Sequence, residues 1–214
     1  MPKGWRDWFR RVSDKKGGDW EVYDLSQCLT LSLSEMERNV SLLIVVSYFW
    51  SNTLNAFVFG HGLMTITLAD VYMLTGLRIT WPMQPYEFLG AGSKKLAKIL
   101  DYRGWASYIQ NHIGNESTVS KREHVAFLNM WLERFIFCGS SCGLTYNHKL
   151  MAEHIAVGAE IPLGKYLLGS AYHLMHQVAA QLLKNEAVHT ISGPWWLIQM
   201  WLNLYMHKSI KPNL

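Results

Sequence analysis

Apolar positions recur at helical spacing along most of this chain, and alternate only in one short stretch near its middle. Trp5, Trp8 and Phe9 share one face of a short amphipathic helix, which the Lys15-Lys16-Gly17-Gly18 turn is expected to close. Residues 25–50 read as helix in two pieces, with Ser32 or Ser34 as the cap before Glu35-Met36-Glu37-Arg38. Val45, Val46, Tyr48, Phe49 and Trp50 belong to a segment expected to be buried, with an extended end. The run Phe57-Val58-Phe59, a Gly60-His61-Gly62 turn and Leu63-Met64-Thr65-Ile66 form a β-hairpin. A helix follows at once: Thr67 caps it, Asp70 sits in its first turn, Leu68, Val71 and Leu74 make its apolar side, and Gly76 stops it.

Pro82 and Pro85 break regular structure, after which a polar helix is expected from Ser93 to Leu100 and another from about Trp105 to His112. Three stronger helices come next. Phe127, Leu128, Trp131, Leu132, Phe135 and Ile136 trace the face of the first. Leu163, Leu167, Leu174, Val178 and Leu182 lie on one side of the second, which begins near Pro162. The third opens at Ser192-Gly193-Pro194 and is apolar nearly all round, apart from a line of Gln199, Asn203 and His207. No internal repeat or linker is evident. The pattern specifies a mainly α protein: a single helical domain with a short β-hairpin near residues 56–66. Residues 1–19 form an amphipathic, basic segment, 20–208 the helical domain and 209–214 a tail.

Composition adds an expectation about surface. Half of the 214 residues are hydrophobic and 17% are charged, against roughly a quarter charged in a typical soluble domain. With ten Trp, ten Tyr and eight Phe, the chain has too few charges to cover its exterior, so some apolar surface is expected to face a partner. The net charge of +4 is mild. Basic residues gather at Arg6, Arg10, Arg11, Lys15 and Lys16, and again at Lys94, Lys95 and Lys98, which fits solvated charge better than a dense nucleic-acid stripe. Three cysteines with no secretory signal suit a reducing compartment. The longest apolar run, Leu42 to Trp50, is about half of what a membrane span needs.

Catalytic chemistry is not apparent. Cys138 and Cys142, with His148 and His154 downstream, lack paired zinc-ligand spacing and fit a helix end better than a metal site. His173 and His176 lack the carboxylates of a metalloprotease or di-iron motif. Gly158 to Lys165 departs from the phosphate-loop pattern, because Tyr166 stands where a hydroxyl for magnesium is needed; its glycines fit a turn and close packing. Lys165 alone does not make a Schiff-base site. No Gly-x-Ser-x-Gly elbow or triad is present. Neither a cofactor nor a metal is expected.

Three spaced blocks together resemble the plant mobile domain family, also labelled aminotransferase-like. They are Phe57 through Leu77; Ala126 through Cys138 with Ile161 through Ser170; and Gly193 through Tyr205, approached by Trp50-Ser-Asn-Thr-Leu-Asn55. The resemblance spans roughly Trp20 to Tyr205. It implies a family found in plant transposons and in host proteins similar to maintenance-of-meristems proteins. The host members are nuclear, silence transposable elements, regulate gene expression and act with a serine/threonine phosphatase-like partner. No pyridoxal phosphate site is read here, since the chain is too short for that large α/β fold.

The expectation is therefore a non-catalytic nuclear interaction domain that docks an apolar, aromatic surface on a protein, with no membrane role. Trp5, Trp8, Phe9, His61 and Met64 are its candidate contacts. Direct nucleic-acid binding through Arg6, Arg10, Arg11, Lys94 and Lys95 is the first alternative, and a cryptic enzyme the second.

Overall fold

The computed structural model describes residues 1–80, 104–139, 146–185 and 191–206. The described helices are α1 (Trp5–Val22), α2 (Ser26–Leu31), α3 (Val40–Ser47), α4 (Leu68–Thr75), α5 (Trp105–His112), α6 (Lys121–Met130), α7 (Tyr146–Ala156), α8 (Leu163–Leu183) and α9 (Trp195–Met206). The strands β1 (Trp50–Ser51), β2 (Ala56–Phe59) and β3 (Gly62–Met64) form an antiparallel sheet in that order. The fold is mainly α, as the apolar periodicity specifies. None of the described helices is long and apolar enough to cross a membrane.

One aromatic hub joins the first helix to the rest. Phe127 on α6 lies nearly parallel to Trp5 at 4.8 Å and to Trp20 at 5.5 Å, and meets Trp8 edge-on at 5.3 Å. These contacts explain why α1 does not end at its glycines. Trp20, one turn beyond Lys15-Lys16-Gly17-Gly18, is held in the core, and Lys16 pairs with Asp19 at 3.1 Å. Tertiary packing thus overrides the low helix propensity of the glycine pair, and the turn expected there is helix instead.

The segment after α2 also differs from expectation. Ser32 is buried; its hydroxyl donates to the Leu29 carbonyl and accepts from Trp5 Nε1. It therefore caps nothing downstream. Residues 33–39 have no regular structure, and Asn39 caps α3 by accepting from the Leu42 N–H at 3.0 Å. Val45, Tyr48 and Phe49, expected inside, are exposed, while Val46 and Trp50 are buried.

Beyond Met130 the α6 helix continues as a π-helical turn over Trp131–Ile136, in which Phe137 N–H reaches the Leu132 carbonyl at 2.9 Å. The wider turn brings Glu133 inside, 2.9 Å from His148 on α7. Helix α7, which sequence periodicity leaves unassigned, packs against α6 and this turn. The polar helix expected at 93–100 lies outside the described residues.

Helix α4 follows its sequence signals in detail. Thr67 Oγ1 accepts from the Asp70 N–H at 3.2 Å, Asp70 Oδ2 accepts from the Thr67 N–H at 2.8 Å, and Gly76 ends the helix at φ 69°. This reciprocal cap satisfies two otherwise orphaned donors. Thr67→Ala is expected to lower stability by about 1 kcal/mol, read as a shift in urea midpoint at unchanged slope.

Candidate interaction surface

The surface that best matches the composition is the outer face of the three-stranded sheet. Register pairs Trp50 with Phe57 and Phe57 with Met64, which points this row toward the core. Side chains alternate across a strand, so the neighbouring row points outward. Val58 pairs with Leu63, and the Val58 N–H donates to the Phe49 carbonyl at 2.7 Å. Val58 and Leu63 consequently sit side by side on the outer face at 46% and 59% exposure, while Phe49, just before β1, sets its ring against Phe59 at 5.4 Å. Tyr48, Val45 and Leu54 extend the apolar exterior at the ends of α3 and in the β1–β2 turn.

The segment that forms this face is nearly free of charge. Between Asn39 and Leu77 the only acidic or basic residue other than His61 is Asp70, and Asp70 is buried. The sheet is braced from behind, where Phe57 stacks on Phe59 at 5.7 Å and on Trp201 of α9 at 5.6 Å. Asp70 ties α4 to the same helix by accepting from Tyr205 Oη at 2.5 Å. Burial alone pushes the Asp70 carboxyl upward, but hydrogen bonds from Tyr205 and Thr67 outweigh it and hold it below its ordinary value. A rigid scaffold therefore presents an uncharged apolar pair.

The residues singled out from sequence divide between surface and interior. His61 is exposed in the hairpin turn, stacked on Phe59 at 5.5 Å and 3.0 Å from the sulfur of half-buried Met64. Both therefore lie on the Phe57–Phe59 side of the hairpin, not on the outer side with Val58 and Leu63. Trp5 and Trp8 are each fully buried, and Phe9 packs half-buried against the same core. Their helical spacing marks the inner face of α1, so they are core residues and not surface contacts. Val58 and Leu63 were missed because Phe57-Val58-Phe59 is apolar on both faces, leaving no alternation to reveal which side is outside.

The basic candidates are likewise dispersed. Arg6 pairs with Glu35 at 3.0 Å, Arg10 with Asp7 at 3.7 Å and Arg11 with Glu123 at 2.8 Å. Arg11 is a structural residue, since Glu123 is buried and Arg11 also donates to the carbonyls of Glu116 and Thr118. Lys94 and Lys95 lie outside the described residues.

The polar motifs resolve into local structure. Burial pushes the Cys138 thiol up to about 11 and raises Cys28 further, which makes both poor thiolates. His176 bonds Asn55 at 2.7 Å, while His173 is exposed. Among the described residues no three His, Cys, Asp or Glu side chains gather as metal ligands. Gly164 fits close packing, as its composition suggests: its N–H donates to the Arg78 carbonyl at 2.9 Å, and a Cβ there would lie 2.8 Å from Ile79 Cγ2. The Glu133–His148 pair was not foreseen, because nothing local at either position announces the other. The Glu133 carboxylate orients the imidazole, whose ring stacks on Phe137 at 4.7 Å.

Residues 24–213 match the family model of the plant mobile domain, and the chain belongs to that family. Neither a curated protein nor a solved structure matches it.

Proposed function

We propose that this plant mobile domain is a non-catalytic nuclear interaction module. It helps to silence transposable elements or regulate gene expression by docking on a serine/threonine phosphatase-like protein. The observation that carries the docking mode is the exposed, uncharged cross-strand pair of Val58 and Leu63. Apolar residues aligned on a braced sheet lose little conformational freedom on binding, and an uncharged pair requires little desolvation of polar groups. The partner surface is correspondingly apolar and uncharged. Nuclear location, silencing and the phosphatase-like partner rest on the family likeness.

Titration of the purified chain with a purified phosphatase-like protein tests this reading. Val58→Glu together with Leu63→Glu is expected to weaken binding at least about tenfold, because each carboxylate must be desolvated against an apolar surface. Both side chains are exposed, so circular dichroism should stay native. Unchanged affinity in the double variant, or no binding by the parent chain, overturns the reading. The nucleic-acid alternative is disfavoured by the pairing of Arg6, Arg10 and Arg11; any DNA affinity that falls steeply with salt would revive it.

A further inference from the structure

A cleft of about 620 Å³ opens beside the π-helical turn, away from the sheet. Its volume lies in the range of sites that enclose a ligand or an anchoring group. Phe135 and Ile136 of the turn and Trp196 and Met200 of α9 form one side, while the irregular segment 33–39 presents Met36 on the other. Local bonds fix these walls. Trp196 Nε1 donates to the Ile136 carbonyl at 3.0 Å. Gln199 clasps the irregular segment, accepting from the Asn39 N–H at 2.9 Å and donating to the Glu37 carbonyl at 2.7 Å.

Two features of the cleft point to what it binds. The backbone N–H groups of Glu35, Met36 and Glu37 find no acceptor among the described residues, so this exposed segment offers main-chain donors beside an apolar hollow. Donors of this kind can be met by the carbonyls of a bound peptide, whose side chains then enter the adjoining hollow. The second feature is charge. Arg6 engages Glu35, whereas Arg134 lines the cleft with no ion-pair partner among the described residues. Glu37 on the other wall disfavours an anion at its own end, so an incoming carboxylate belongs at Arg134. Methionine walls adapt to differently shaped apolar side chains. The π-helical turn, a geometry frequent at functional sites, supplies Arg134 and Phe135 together.

We propose that this cleft is a second binding site that takes a short extended peptide from another protein. One large apolar side chain sits between Met36 and Met200, and a nearby carboxylate pairs with Arg134. The site is independent of the sheet face.

The test uses the full chain with methionine methyls labelled in ¹³C and, as probe, a short Ser/Thr peptide carrying one Phe and one nearby Asp. Binding should shift the Met36 and Met200 methyl signals and leave that of buried Met130 in place. Arg134→Glu should weaken the probe about tenfold and favour the version with Lys in place of Asp; Arg134→Gln, a milder change at an exposed position, should weaken it without that reversal. Val58→Glu with Leu63→Glu should bind the probe normally, which separates this site from sheet docking. Failure of the probe to bind, static Met36 and Met200 signals, or equal affinity in a natively folded Arg134→Glu chain overturns the proposal.

Discussion

Arg11→Ala is expected to destabilise the domain by about 3–5 kcal/mol, the cost of leaving a buried carboxylate without its counter-charge. Glu123 is nearly inaccessible, yet its two oxygens receive Arg11 Nε at 2.8 Å, Arg11 Nη2 at 3.1 Å and Trp8 Nε1 at 3.2 Å. Burial alone drives this carboxyl upward; the Arg11 hydrogen bonds, the Gly114 backbone and Trp8 together bring it below its ordinary value. Arg11 also closes the 113–118 connection through the carbonyls of Glu116 and Thr118. Glu123→Gln should cost less than Arg11→Ala, because the amide keeps an acceptor for Trp8. Chemical unfolding of both single variants and the double variant measures the coupling directly. Additive losses would show that the pair is not a unit. The same bonds join α1, which precedes the family-matched residues 24–213, to a helix within them.

That knot also shows where sequence reading reaches its limit. Helices α4, α5, α8 and α9 and the β2–β3 hairpin were legible because their signals are local: caps, a glycine stop and an unbroken apolar period. The Arg11–Glu123 pair links residues 112 apart, and nothing at either position announces the other. The face of α1 was correctly apolar, but periodicity alone does not tell a core face from a docking face; Phe127 stacking on Trp5 decides it. The π-helical turn keeps the same apolar repeat as an α-helix, so it left no trace. His61 and Met64 were legible as hairpin residues, but they sit with Phe59 and not on the outward side proposed for docking. The outward pair was not legible, since its exposure depends on which side of the sheet α8 and α9 occupy.

Between pH 6.5 and about 4 the domain is expected to lose up to about 3 kcal/mol of stability through His124 alone. His124 is buried on α6 beside Trp20, whose Nε1 donates to its Nε2 at 3.2 Å. That bond needs the neutral imidazole with its lone pair on Nε2. Burial, aided by Lys16 and opposed by Asp19, lowers the pKa from 6.5 to about 4. In this window the unfolded chain takes up a proton that the folded chain refuses, so acidification favours unfolding. Above pH 6.5 both states are neutral at this site and the contribution is fully present; below about 4 both are protonated and no further loss follows. Asp70 and Glu123, held below their ordinary values, act in a lower window. Their stabilisation is lost only as pH falls from the unfolded carboxyl values of about 4 through the folded ones. Urea midpoints from pH 8 down to 4 separate the two sets. His124→Gln preserves an acceptor for Trp20 but does not titrate, so its stability should stay nearly level where the parent falls. Parallel profiles for parent and variant would exclude His124 as the source of the loss.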